Sequence, residues 1–244
     1  MKKLIITALA LIALPLFAQS RHAGSQNFAS DFQTLPVVAN VPGVGSTFQS
    51  YVSIFNPTSA AFPVTVTYYD SNGATKTAQI NLAAGEVKTY ENFLQDVFQT
   101  AGGGALTLSA PKHDNRFIVD SEVWTSGTRF GTSIPPLEFA GSSSRSFAAG
   151  VSVDTNHRTN VGCFNEGDTA NNVKVTVLDG SGHNTVGTTA INLAPHGWGQ
   201  VPVLSVVTGG TIQFDPTDSA VCYAVTVYNA TNDGRFINAS EYQP

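Results

Sequence analysis

Two stretches of this chain align on each other without a gap, and that internal repetition limits the possible fold more than any other feature. Residues 51–73 read YVSIFNPTSAAFPVTVTYYDSNG, and residues 160–182 read NVGCFNEGDTANNVKVTVLDGSG. Phe55-Asn56 falls on Phe164-Asn165, and Val64-Thr65-Val66-Thr67 falls on Val173-Lys174-Val175-Thr176. Asp70 and Gly73 meet Asp179 and Gly182. The series continues in order: Ile80-Asn81-Leu82-Ala83 with Ile191-Asn192-Leu193-Ala194, Gly103-Gly104 with Gly209-Gly210, and Arg129-Phe130 with Arg235-Phe236. An ordered series of this length implies a duplicated unit. Between the copies, Gly141-Ser142-Ser143-Ser144-Arg145-Ser146 is small and polar and reads as a linker. The expected organisation is a first domain over residues 35–138, a linker over 139–146 and a second domain over 147–244. Each is long enough to bury its own core. Residues 19–34 lack periodicity and are expected to form a loose N-terminal arm.

Within each copy the apolar residues alternate with polar ones. Val64, Val66 and Tyr68 share one face while Thr65 and Thr67 take the other; Val173, Val175 and Val177 repeat the pattern against Lys174 and Thr176. β-Branched residues dominate, as strands prefer, and turn residues recur at the spacing of an all-β sandwich. Asp70-Ser71-Asn72-Gly73 and Asp179-Gly180-Ser181-Gly182 supply the turn chemistry of hairpins. One helical signal stands out. Phe93, Leu94, Val97 and Phe98 lie on one side of a short amphipathic turn, and its weaker counterpart is Val201 to Val207. Both are expected to cross between two sheets.

The chain opens Met1-Lys2-Lys3, followed by an apolar run from Leu4 to Phe17 and then polar Gln19-Ser20-Arg21-His22. That order is the plan of a secretory signal peptide over residues 1–18, cut after Ala18. The expected product is secreted or periplasmic, with no membrane span in the mature chain. Charged residues are 12% of the sequence, about half the usual share, so the surface is built from Ser, Thr, Asn, Gln and Gly. A net charge of −5 offers no basic footprint to nucleic acid. In an oxidising compartment the only two cysteines, Cys163 and Cys222, are expected to form a disulfide. Cys163 stands where the first copy has Ile54, on an early strand, and Cys222 lies on a late one. Early-to-late bridging across the two sheets is the immunoglobulin arrangement.

Reactive constellations are sparse. The histidines are His22, His113, His157, His183 and His196, and no two have the spacing of a metal pair. No Gly-x-Ser-x-Gly elbow places a nucleophile. Asp120 and Glu122 share a strand face, as a pair of carboxylates in a secreted hydrolase would, but a solvated outer face also explains them. The Asp-x-x-Gly turns resemble the start of a calcium loop yet lack its later bidentate Glu. No catalytic residue, metal site or cofactor is expected. Trp124, Trp198, Tyr69 and Tyr228 are candidate ligand-contact aromatics, since rings near loops stack on sugars or anchor protein partners.

Val41-Pro42-Gly43, Phe55-Asn56-Pro57, Asp70 to Gly73 and Leu82 to Gly85 follow one another in the first copy. With these motifs the chain resembles secreted bacterial repeat proteins built from tandem immunoglobulin-like β-sandwiches, a group of unsettled function. The second copy departs from the pattern: Glu166 replaces the Pro, and His196 enters before Gly197. The resemblance implies an all-β fold of two tandem immunoglobulin-like antiparallel sandwiches and a non-enzymatic extracellular module. Such a module binds a surface, a glycan or a protein partner. An alternative is a structural subunit that assembles by strand addition through the arm at 19–34, with Phe28 and Phe32 as its apolar side chains. A secreted hydrolase is the remote third reading.

Overall fold

A computed structural model describes residues 28–43, 46–126, 130–138 and 141–241. The expected signal peptide and the first part of the arm lie outside these residues. The molecule is all-β, with antiparallel sheets stacked as in a sandwich. No described helix is long and apolar enough to cross a membrane.

The first half contains β1 (Phe32–Pro42), β2 (Thr47–Phe55), β3 (Phe62–Tyr69), β4 (Thr75–Leu82), β5 (Val87–Tyr90), α1 (Phe93–Phe98), β6 (Gly102–Ser109), β7 (Ile118–Thr125) and β8 (Gly131–Ser133). Its strands run β4-β3-β6-β1 and then β2-β7-β8, with β5 on the free side of β2. One strand, β1, joins the two layers: it pairs with β6 from Phe32 to Asn40 and with β2 from Asn40 to Pro42. Strand pairing therefore starts at Phe32, inside the stretch read from sequence as a loose arm. Phe32 to Leu35 pair with Ser109 to Leu106 of the same chain, and Thr34 is fully buried.

The second half contains β9 (Ser146–Val153), β10 (His157–Asn165), β11 (Asn171–Leu178), β12 (Thr185–Leu193), β13 (Trp198–Pro202), β14 (Val207–Pro216), β15 (Ala220–Tyr228), β16 (Gly234–Asn238) and β17 (Ser240–Glu241). Its sheets run β12-β11-β14-β9-β17 and β13-β10-β15-β16. Apart from β17, this order matches the first half strand for strand.

The alternation read from sequence becomes two cores. Val64, Val66, Val52, Ile54, Leu106 and Leu108 lie in one, and Val173, Val175, Val161, Ile212 and Phe214 in the other. Each Phe-Asn motif serves the same local purpose. Fully buried Asn56 donates its amide to the Ala60 and Ala83 carbonyls at 2.8 and 2.9 Å and accepts from the Thr58 N–H at 2.9 Å. Fully buried Asn165 donates to Thr169 and Ala194 at 2.7 and 2.8 Å and accepts from the Gly167 N–H at 3.1 Å. In both halves one buried side chain satisfies two loop carbonyls and a loop N–H.

The Asp-x-x-Gly turns close on themselves. Asp70 Oδ1 accepts from the N–H groups of Asn72 and Ala74, while Asp179 accepts from Ser181 and Asn184. Gly73 and Gly182 take φ values of 78° and 74°, which other residues rarely adopt. The helix is where the periodicity puts it: Phe93, Leu94 and Phe98 are buried, and Asn92 caps its start. It crosses from β5 to β6. Its counterpart, between β13 and β14, makes the same crossing without helix. There Val203 is buried in the second core while Leu204 and Val206 stand 86% and 78% exposed, so a single side chain takes the place of the helix's three.

The disulfide Cys163–Cys222 is present, but not between sheets. Its cysteines are direct register partners on adjacent β10 and β15, with Cα atoms 4.1 Å apart. Both face the core. In the first half the same register position is the apolar pair Ile54 and Val119. Equivalence of Cys163 with Ile54 is legible in sequence. The neighbour relation of the two strands is not, because it depends on the sheet order.

Candidate functional site

The halves meet on the outer face of the sheet β13-β10-β15-β16. In β15, Cys222 and Ala224 point into the second core, so Tyr223, Val225 and Val227 point away from it. In the first half the corresponding outward residues of β7 are Asp120, Glu122 and Trp124. The second half thus presents Tyr223 and two valines where the first presents two acids and a tryptophan, and the first half covers them. Tyr223 is fully buried, in a cluster with Val37 and Ile134 of the first half.

Val37 reaches that cluster because β1 breaks step. Its register shifts between Leu35 and Val38, around Pro36, which has no N–H to give the ladder. Leu35 and Val38 keep to the first core, and Val37 is turned out to the junction. Re-aiming one side chain is a common result of such a bulge.

Tyr223 lies across β10 at Gly162, where any Cβ would run into its ring. Its hydroxyl accepts from Trp198 Nε1 at 3.1 Å and donates to Gln200 Oε1 at 3.0 Å. Burial pushes the phenol far above its ordinary value, so it stays neutral. On the other side of the junction, the hairpin after β3 docks on the turn before β13. Tyr69 stands 5.0 Å from Phe164 and 6.1 Å from His196 between ring centroids, and the Trp198 N–H donates to the Asp70 carbonyl at 3.1 Å.

Beside Tyr223, along β10 toward Asn160 and Arg158, the halves leave a cavity of about 610 Å³. Its first-half wall includes Val38, Val41, Phe48, Val123 and Ile134, and its second-half wall includes Trp198, Val225 and Val227. Polar groups gather on the second-half side: Asn160, Gln200, Arg158, Asn229 and Asn232. The volume falls within the range of about 300–1,000 Å³ common for small-molecule sites, which are mostly apolar with a few placed polar groups.

The four aromatics singled out from sequence separate. Trp198 lines this cavity, and Tyr69 buttresses the junction beside it. Trp124 belongs to a different cleft of about 170 Å³ with Tyr51, Glu91 and Glu122, and donates from Nε1 to the Glu91 carbonyl at 3.2 Å. There Glu122 is raised above the ordinary carboxylate range, by burial and then by Asp120 and Asp233. Tyr228 is 43% exposed beside His157 at the far end of β10.

Three histidines pair with nearby aspartates: His113 with Asp31 at 2.9 Å, His157 with Asp154 at 2.9 Å, and His196 with Asp168 at 2.8 Å. His157 and His196 sit toward opposite ends of β10, so they do not converge. Among the described residues no three His, Cys, Asp or Glu side chains cluster as metal ligands would. The sequence reading missed Arg158, Asn229 and Asn232. The available signal was Ala220-Val221-Cys222-Tyr223-Ala224-Val225, an unbroken apolar run, which marks a strand covered on both faces. Comparison with known proteins finds no family model that matches the chain and no similar curated protein.

Proposed function

We propose that the chain is an exported, non-catalytic binding protein of two tandem immunoglobulin-like sandwich domains, whose ligand site is the cavity where the two meet. The observation that carries this reading is the cavity itself: about 610 Å³, walled by apolar side chains from both halves, with most of its polar groups on the second-half side. Those polar groups are amides, the Thr132 hydroxyl and one guanidinium. Such groups orient a ligand, but they neither take up nor deliver a proton near neutral pH. The in-register Cys163–Cys222 bridge fits an oxidising compartment.

Titration of residues 19–244 with the neutral fluorophore N-phenyl-1-naphthylamine tests the site. The expected result is saturable binding of one probe per chain, lost in Val41→Trp, whose larger ring fills the cavity while the circular dichroism spectrum is retained. No saturable binding, or binding that Val41→Trp leaves unchanged, would refute the assignment.

A further inference from the structure

Arg158 is the one cationic side chain lining the junction cavity among the described residues. It lies on the outward face of β10, opposite Val227. Its Nη1 donates to Asn229 Oδ1 at 3.1 Å and its Nη2 to Asn232 Oδ1 at 2.8 Å. Both acceptors are neutral. Asn232 holds its place with a φ of 63°, a left-handed conformation that Asn tolerates better than most residues. Among the described residues no carboxylate forms an ion pair with Arg158, whereas Arg145 has Asp215 at 2.6 Å.

Burial draws the Arg158 guanidinium below its ordinary value, with no opposing charge to offset the loss of water. A guanidinium nevertheless stays protonated. Two asparagines hold a cation in a fixed orientation at the edge of an apolar cavity and leave its charge uncompensated. Its planar fork matches a carboxylate. A single fixed cation balances a single anionic head, while a phosphate monoester would bring about −1.5 to −2 charges.

We propose that the junction cavity takes a small amphipathic carboxylate, its head on the Arg158 guanidinium and its alkyl or aryl part against Val41, Phe48, Ile134 and Val225. This rests on the reading of the junction as a binding site and adds the chemical class of the ligand. The asparagines act as positioning residues. They aim the guanidinium and leave its remaining donors to the ligand.

The experiment compares decanoate with 1-decanol as competitors of N-phenyl-1-naphthylamine on residues 19–244. Decanoate is expected to bind about tenfold or more tightly than 1-decanol, since a charge-assisted hydrogen bond is added to the same apolar burial. Arg158→Gln should abolish that preference, with the circular dichroism spectrum retained as the report that the fold is intact. Asn232→Asp is the second variant. It gives the guanidinium an internal carboxylate and should weaken decanoate about tenfold relative to 1-decanol, with the circular dichroism spectrum retained. Equal affinity for the two competitors, or a preference that survives Arg158→Gln, overturns the carboxylate assignment and leaves the binding site standing. Failure of all three compounds to bind removes the binding-site reading and this proposal together. A doubled mass in light scattering that decanoate does not reverse would give the cavity to a second copy of the chain and overturn the proposal.

Discussion

The two halves share a strand order and an asparagine cage, yet they treat the same sheet in opposite ways. In the first half, the outward residues of β7 are Asp120, Glu122 and Trp124; Asp120 is exposed, and the other two are half-buried in an open cleft with Tyr51 and Glu91. In the second half, the outward residues of β15 are Tyr223, Val225 and Val227, and this face turns to the first half. Inside the sheets the difference recurs at one register position, Ile54 with Val119 against Cys163 with Cys222. The end plug differs too: α1 buries Phe93, Leu94 and Phe98, whereas its counterpart buries Val203 and leaves Leu204 and Val206 exposed. The comparison teaches that the shared scaffold is held by turns and core alternation, which leaves outward faces free to diverge. One face carries acids around an open cleft, and the other is a junction.

The largest expected effect breaks that junction. Tyr223→Ala removes a fully buried ring and should cost about 3–5 kcal/mol in urea unfolding. Its counterpart Asp120→Ala, on an exposed position, should cost about 1 kcal/mol or less. Equal losses would mean that the two faces are not differently used.

Loss of the bridge comes next. Cys163→Ala with Cys222→Ala should lower stability by about 4 kcal/mol, on the loop-entropy model for a separation of 59 residues. The converse change sharpens the comparison: Ile54→Cys with Val119→Cys should oxidise to a bridge, detected by the mass of tryptic fragments, because the register is the same.

The asparagine cages should respond alike. Asn56→Ala and Asn165→Ala each remove a fully buried side chain with three hydrogen bonds to its turn and should each cost about 2–3 kcal/mol. A large loss in one half only would show that the shared turn is not a shared support.

The smallest effect concerns Glu166, which stands where the first copy has Pro57. Its carboxylate accepts from the Gly141 N–H, and burial raises it above the ordinary range. A raised carboxylate binds its proton more tightly in the folded chain than in the unfolded one. Its contribution is therefore fully present below the unfolded value and is lost as pH rises through the folded one. Relative to Glu166→Gln, the natural chain should lose stability as pH rises through that raised value, and a flat difference would contradict this.

Much of the scaffold is legible from residues. Alternation at Val64 to Tyr68 and Val173 to Val177 gives strands and inward faces, the Asp-x-x-Gly motifs give hairpins, and Phe93 to Phe98 gives the one described helix. The junction is less legible, because its members come from distant parts of the chain. Arg158 meets Asn229 and Asn232 from 71 and 74 residues away. Only the sheet order makes them neighbours. The same holds for the disulfide, whose cysteines identify each other as partners but not the adjacent strands that carry them. Val37 is hidden for another reason: its alternation reads as core, and only the break at Pro36 turns it outward.

The central claim is that the second half's sheet is built to be covered by the first half. Separately produced residues 28–138 and 141–244, mixed and measured by light scattering, test it most directly. The account predicts a one-to-one complex with the mass of the joined chain, and self-association of the second half when it is alone. Two stable monomers that ignore each other would contradict it.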